Sequence, residues 1–175
     1  MENEAPTQLA EEGKRAYERR QYDQAADLFR RASQGFILGH DGLMAAEMDN
    51  NLSVTLLQAG KSQEALEAAL GTDQVFAGAG DLKRQGMAFG NQAAALEALR
   101  RTDEALAAYD RSAQLFSQAG EGDLLAMVKK SAAAIRLKRG DVLQSALNMV
   151  GSVEAKTKPS FFERIFKFFI RIKPW

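Results

Sequence analysis

Few residues of this chain are of the types that catalyse reactions, and those few are not spaced to act together. His40 is the only histidine. It stands among turn-forming residues, Gly39-His40-Asp41-Gly42, with no second ligand at a metal-binding spacing. Cysteine is absent, which removes disulfides, thiol nucleophiles and thiolate metal sites together. No glycine-rich phosphate loop, dinucleotide fingerprint or nucleophile elbow occurs. The acidic residues scatter along the chain as solvated charge. These observations point to a protein that binds and does not catalyse, with no metal and no cofactor.

Side chains suited to binding are easier to find. Asn51 and Asn91 lie 40 residues apart, and each carboxamide offers donors and an acceptor that match a peptide group. Their alternative role is to cap or brace neighbouring helices. Met87 and Met127 share the same 40-residue step. They form either an adaptable apolar surface or part of the core.

The elements that must position these residues are helices. The only prolines are Pro6, Pro159 and Pro174, so nothing breaks a helix between Thr7 and Lys158. Good helix formers fill that interval. A repeat of 40 residues runs through it. Phe36, Phe76 and Phe116 form one column of that repeat. Gly13, Ser53, Ala93 and Ala133 form a second, and Ala25, Ala65, Ala105 and Ser145 a third. Phe29, Ala69, Tyr109 and Met149 form a fourth. Asp41, Asp81 and Glu121 mark a turn, and residues 41–80 agree with 81–120 at eleven positions, too many for a chance register. Each unit reads as two helices. The first ends near Arg20, Gly60, Arg100 or Gly140, and the second carries a wide apolar stripe, as in Asp103–Gln118. Small residues in register mark places where helix backbones approach closely. Gly71-Thr72-Asp73 predicts a break in the second helix of unit 2.

This pattern resembles the tetratricopeptide repeat, in the 40-residue form of kinesin light chain and of the Leu-Gly-Asn scaffold proteins. The likeness rests on the small residue of the first helix, the alanine early in the second (Ala25, Ala65, Ala105) and the bulky residue four later (Phe29, Tyr109, Met149). Asn50-Asn51-Leu52 and Gly90-Asn91 add to it. The resemblance implies an all-α fold: a right-handed superhelical solenoid of four helix-turn-helix units, about 1–40, 41–80, 81–120 and 121–157, within a domain spanning 1–158. It also implies a concave groove lined by first helices. The groove residues carried over are Lys14 and Tyr17 from unit 1, and Glu47, Asn50, Asn51, Val54 and Leu57 from unit 2. Met87, Asn91, Ala94 and Glu97 come from unit 3, and Met127, Lys130, Ser131 and Ala134 from unit 4. In similar families such asparagines hold the backbone of an extended peptide, so a peptide or protein partner is expected. Lys14 and Lys130 are too few cations for the carboxylate clamp of chaperone-binding repeats.

Residues 159–175, PSFFERIFKFFIRIKPW, form the second expected domain. Pro159 stops the preceding helix, and Ser160 with Glu163 makes an S-x-x-E capping box. At 100° per residue, Arg164, Lys167 and Arg171 share a polar sector with Ser160 and Glu163. Phe161, Phe162, Ile165, Phe166, Phe168, Phe169, Ile170 and Ile172 take the rest, and Trp175 ends the sequence. Six basic residues between Lys156 and Lys173 face one acid, a charge of +5 balanced by −5 in the preceding 155 residues. Three readings stay open: an in-plane anchor on an anionic membrane surface, a cap on the last unit, or docking into a groove of this or another protomer. The last would give autoinhibition within one protomer or a homo-oligomer between two. Aromatic residues opposite the basic face favour lipid or protein over nucleic acid. The acidic first residues lack the apolar core of a signal peptide, and no stretch is long enough to span a bilayer. The expected location is cytoplasmic, peripheral to the inner face of the membrane if the anchor reading holds.

Overall fold

The computed structural model describes residues 5–138, and every regular element among them is an α-helix. The helices are α1 (Pro6–Glu18), α2 (Tyr22–Leu38), α3 (Gly42–Gln58), α4 (Ser62–Ala69), α5 (Thr72–Gly78), α6 (Leu82–Ala98), α7 (Thr102–Gln118) and α8 (Gly122–Lys138). The chain divides into two compact units, Met1–Ile135 and Arg136–Trp175. Ser145, Met149 and the whole 159–175 segment, with its aromatic and basic residues, lie outside the described residues. No helix among the described residues is long and apolar enough to cross a membrane.

Helices are separated by one repeated turn. Arg20, His40, Gly60, Gly80, Arg100 and Gly120 all adopt left-handed backbone, with φ between 57° and 78°. After each, the next residue donates its N–H to the carbonyl five positions back, at 2.9 Å in all six cases. The acceptors are Ala16, Phe36, Leu56, Phe76, Leu96 and Phe116, and all six are buried. These bonds satisfy carbonyls that a helix end leaves without partners, and they turn the chain by the same geometry each time. The 40-residue repeat is thus two 20-residue halves, in which helices of 17 residues (α2, α3, α6, α7, α8) alternate with turns.

The two halves differ at their starts. The Asp41 side chain accepts the N–H of Met44 at 3.0 Å, and that of Asp81 accepts the N–H of Arg84 at 2.8 Å. Asp41 and Asp81 are therefore N-caps. Helices α2, α4 and α7 begin at Gln21, Lys61 and Arg101 with no side-chain cap.

A residue with a Cβ pays steric strain in the left-handed region, which glycine avoids. Arg100→Gly should therefore stabilise the fold by ~0.5–1 kcal/mol, and Gly120→Ala should destabilise it by ~1 kcal/mol. Urea unfolding of the two variants measures both, and a neutral Gly120→Ala would show that the turn carries no strain.

Packing joins α1 to α2, α2 to α3, α3 to α4, α5 to α6 and α6 to α7, and α3 and α4 also touch α6, the first helix of the following unit. Register explains the packing. A Cβ on Gly13 would lie 2.9 Å from the Phe29 ring. Ser53 instead donates its hydroxyl to the Ala65 carbonyl at 2.7 Å, and Ala93 is fully buried. Ala25, Ala65 and Ala105 are likewise fully buried. Small side chains let two backbones approach, while Phe29, Tyr109 and the Phe36/Phe76/Phe116 column fill the wider gaps. Ala133, in the same column as Gly13, is exposed; the helix expected to cover it lies outside the described residues.

The break expected near Gly71 is present. Gly71 has φ 86° and separates α4 from α5. Ending α4 early frees the Ala69 carbonyl inside the protein, where an unpaired acceptor is costly. Gln92 Nε2 donates to it at 3.1 Å and to Asp73 Oδ1 at 2.9 Å. The Thr72 hydroxyl sits 2.8 Å from the same carbonyl and 3.1 Å from Asn50 Oδ1. Asn50, Thr72 and Gln92 are all buried, so the break is stapled from two neighbouring helices.

Candidate peptide-binding groove

Two depressions adjoin on the face formed by α1, α3 and α6. The first, of about 280 Å³, is lined by Lys14, Tyr17 and Glu18 of α1, Phe29 of α2, and Asn51, Val54 and Thr55 of α3. The second, of about 400 Å³, is lined by Glu47, Asn50 and Asn51 of α3, Phe76 of α5, Asp81 in the turn, and Lys83, Arg84 and Met87 of α6. Asn51 borders both. Of the expected groove residues, these depressions gather Lys14, Tyr17, Asn51, Val54, Glu47, Asn50 and Met87.

The asparagines play different parts. Asn51 is half-buried and its backbone carbonyl accepts the Thr55 hydroxyl at 2.7 Å, but among the described residues its carboxamide has no partner. Asn50 is only 6% exposed and faces Thr72. It lines the second depression and also braces the α4–α5 break. Asn91 donates to the Asn50 carbonyl at 3.5 Å, a long bond that ties α6 to α3.

Charge in the second depression is neutralised internally. Arg84 bonds Asp81 at 2.7 Å and Glu47 at 3.2 Å, and its guanidinium lies 5.3 Å from the centre of the Phe76 ring. The Arg84 backbone N–H and side chain hold the Asp81 carboxyl below its usual range, and Asp81 in turn raises Arg84. Sequence reading missed Arg84. Its spacing to Asp81 was visible, but Glu47 and Phe76 come from other helices. Lys83 pairs with Glu121 at 2.8 Å and Lys14 with Glu11 at 2.7 Å.

Beyond Met87 the expected residues line neither of these two depressions. Glu97 accepts the Tyr109 hydroxyl at 3.1 Å, and Ser131 bonds the same hydroxyl from α8. Burial, and after it the Glu97 charge, pushes the Tyr109 phenol up to about 12. It stays protonated as a donor at neutral pH. Leu57 and Ala94 are half-buried, while Met127, Lys130 and Ala134 are exposed. The methionines are surface groups: Met87 is 42% and Met127 59% exposed, against 1% for the core Met48.

Elsewhere, burial raises the Asp49 carboxyl against the opposing bond from Ser33. His40 is exposed in its left-handed turn. Among the described residues no three His, Cys, Asp or Glu side chains cluster as metal ligands. No protein-family model matches the chain, and no curated protein matches it.

Proposed function

We propose that this protein is a tetratricopeptide-type adaptor whose first-helix groove binds an extended peptide of a protein partner, and whose 159–175 segment attaches it to an anionic membrane surface. The solenoid reading is supported by six identical turns at a 20-residue step and by small residues in register where helices approach. The observation that carries the binding reading is Asn51. Its carboxamide is half-buried, lacks a partner among the described residues, and stands where two depressions meet. A half-buried amide that its own protein leaves unpaired is suited to a ligand's peptide group.

Peptides selected on the full chain from a random display library provide the test. Asn51→Ala should weaken the selected peptides about tenfold, the loss of roughly two hydrogen bonds, with the circular dichroism spectrum unchanged. Undiminished binding by that variant removes the groove assignment.

The membrane half of the proposal rests on the basic sector and aromatic face of residues 159–175. Full-length protein should co-sediment with anionic vesicles at low salt and be released as salt rises. A variant carrying Phe166→Glu and Phe169→Glu should remain in the supernatant. Equal sedimentation of both proteins would exclude the anchor.

A further inference from the structure

The charges around the two depressions are already matched. Lys14 of α1 pairs with Glu11 at 2.7 Å, and Lys83 of α6 pairs with Glu121 at 2.8 Å. Arg84 is shared between Asp81 at 2.7 Å and Glu47 at 3.2 Å, with the Phe76 ring against its guanidinium. Glu18 is exposed and stands in the chain among Lys14, Arg15, Arg19 and Arg20, so it presents no isolated charge. Two neutral polar groups are engaged as well: Asn50 accepts from Thr72, and the Thr55 hydroxyl donates to the Asn51 carbonyl. The remaining walls are apolar. Val54 and the Tyr17 ring, which meets Tyr22 edge-on at 5.6 Å, flank the first depression over buried Phe29. Met87, 42% exposed, stands beside the second over buried Phe76. Asn51 borders both.

We infer that the groove selects peptides carrying two apolar side chains, such as leucine, two positions apart, and discriminates against charged ones. In an extended chain, residues i and i+2 point to the same face about 7 Å apart, and the peptide groups between them keep their donors and acceptors. A backbone amide held by Asn51 thereby sets one side chain against Tyr17 and Val54, and the other against Met87. Both are stabilised by leaving water. A carboxylate or an ammonium in either place would meet walls whose charges are already paired or balanced. It would lose hydration without gaining a free counter-ion. The assignment rests on the groove reading above and names the class of side chain that groove takes.

The test titrates full-length protein with three capped heptapeptides: Ser-Gly-Leu-Ala-Leu-Gly-Ser, and the same sequence with glutamate or with lysine in place of both leucines. Binding is followed through the NMR signals of the Asn51 carboxamide. The leucine peptide should bind about tenfold more tightly than either charged peptide, with an affinity that does not fall as salt is added. Val54→Thr and Met87→Gln keep the side-chain shape while adding a polar group, and each should weaken the leucine peptide about threefold. Met87 is a surface residue, so its variant reads binding without a folding loss. A charged peptide that binds as tightly as the leucine peptide overturns the selectivity while leaving the groove intact. A leucine affinity unchanged in either variant also overturns it. If none of the three peptides moves the Asn51 signals at millimolar concentration, the groove reading falls and takes this inference with it.

Discussion

Phe116→Ala is expected to lower the free energy of unfolding by about 3–5 kcal/mol, the range for removing a fully packed phenylalanine. The ring is 1% exposed and sits near the C-terminal end of α7. Across from it Gly86 of α6 comes so close that a Cβ there would lie 2.9 Å from the ring edge. Ser112 closes the same contact by donating to the Gly86 carbonyl at 2.7 Å. A pocket whose wall is backbone collapses poorly, so most of the cavity would persist and its cost would be felt in full. Phe36, at 8% exposure, occupies the same column at the first turn and should lose less when cut to alanine. Urea unfolding of the two variants gives the comparison. A Phe116→Ala loss below about 1 kcal/mol would mean that the column does not hold the helix pairs together.

Gln92→Leu should cost about 1–3 kcal/mol even though leucine is the residue that the repeat places at position 52. In unit 2 the second helix is interrupted, and the interruption leaves the Ala69 carbonyl and the Asp73 carboxylate facing Gln92 Nε2. Leucine would fill similar space but return neither bond. The Thr72 hydroxyl alone would serve the carbonyl, with Asn50 competing for its single proton. Amide hydrogen exchange should therefore quicken in α5 before it does in α7. Full stability in Gln92→Leu would show that the break needs no polar staple.

Much of this architecture could be read directly from residue spacing. The 40-residue columns located the helix pairs, because packing one helix against the next demands the same residue sizes at the same steps. Gly71 announced the break, since only a left-handed residue flanked by turn formers interrupts an otherwise continuous stripe. The half-period of 20 was hidden, because Ala16, Phe36, Leu56, Phe76, Leu96 and Phe116 differ in size. Arg20, His40 and Arg100 also disguise turns that glycine marks elsewhere.

The site was legible only by halves. Asn51 and Met87 could be placed on the groove by register. Register could not say that Asn50 turns inward to Thr72, that Asn91 ties to a neighbouring backbone, or that Arg84 gathers Glu47, Asp81 and Phe76. By itself the sequence determined the helical repeat, its turns, its break and the separate character of residues 159–175. These follow from local periodicity and backbone preference, which act within a few residues. Tertiary structure alone decided which polar groups hold helices together and which, like the Asn51 carboxamide, are left without a partner among the described residues. The hydrogen bonds and ion pairs that join packed helices link residues 12 to 41 positions apart, and their geometry exists only once the helices have packed.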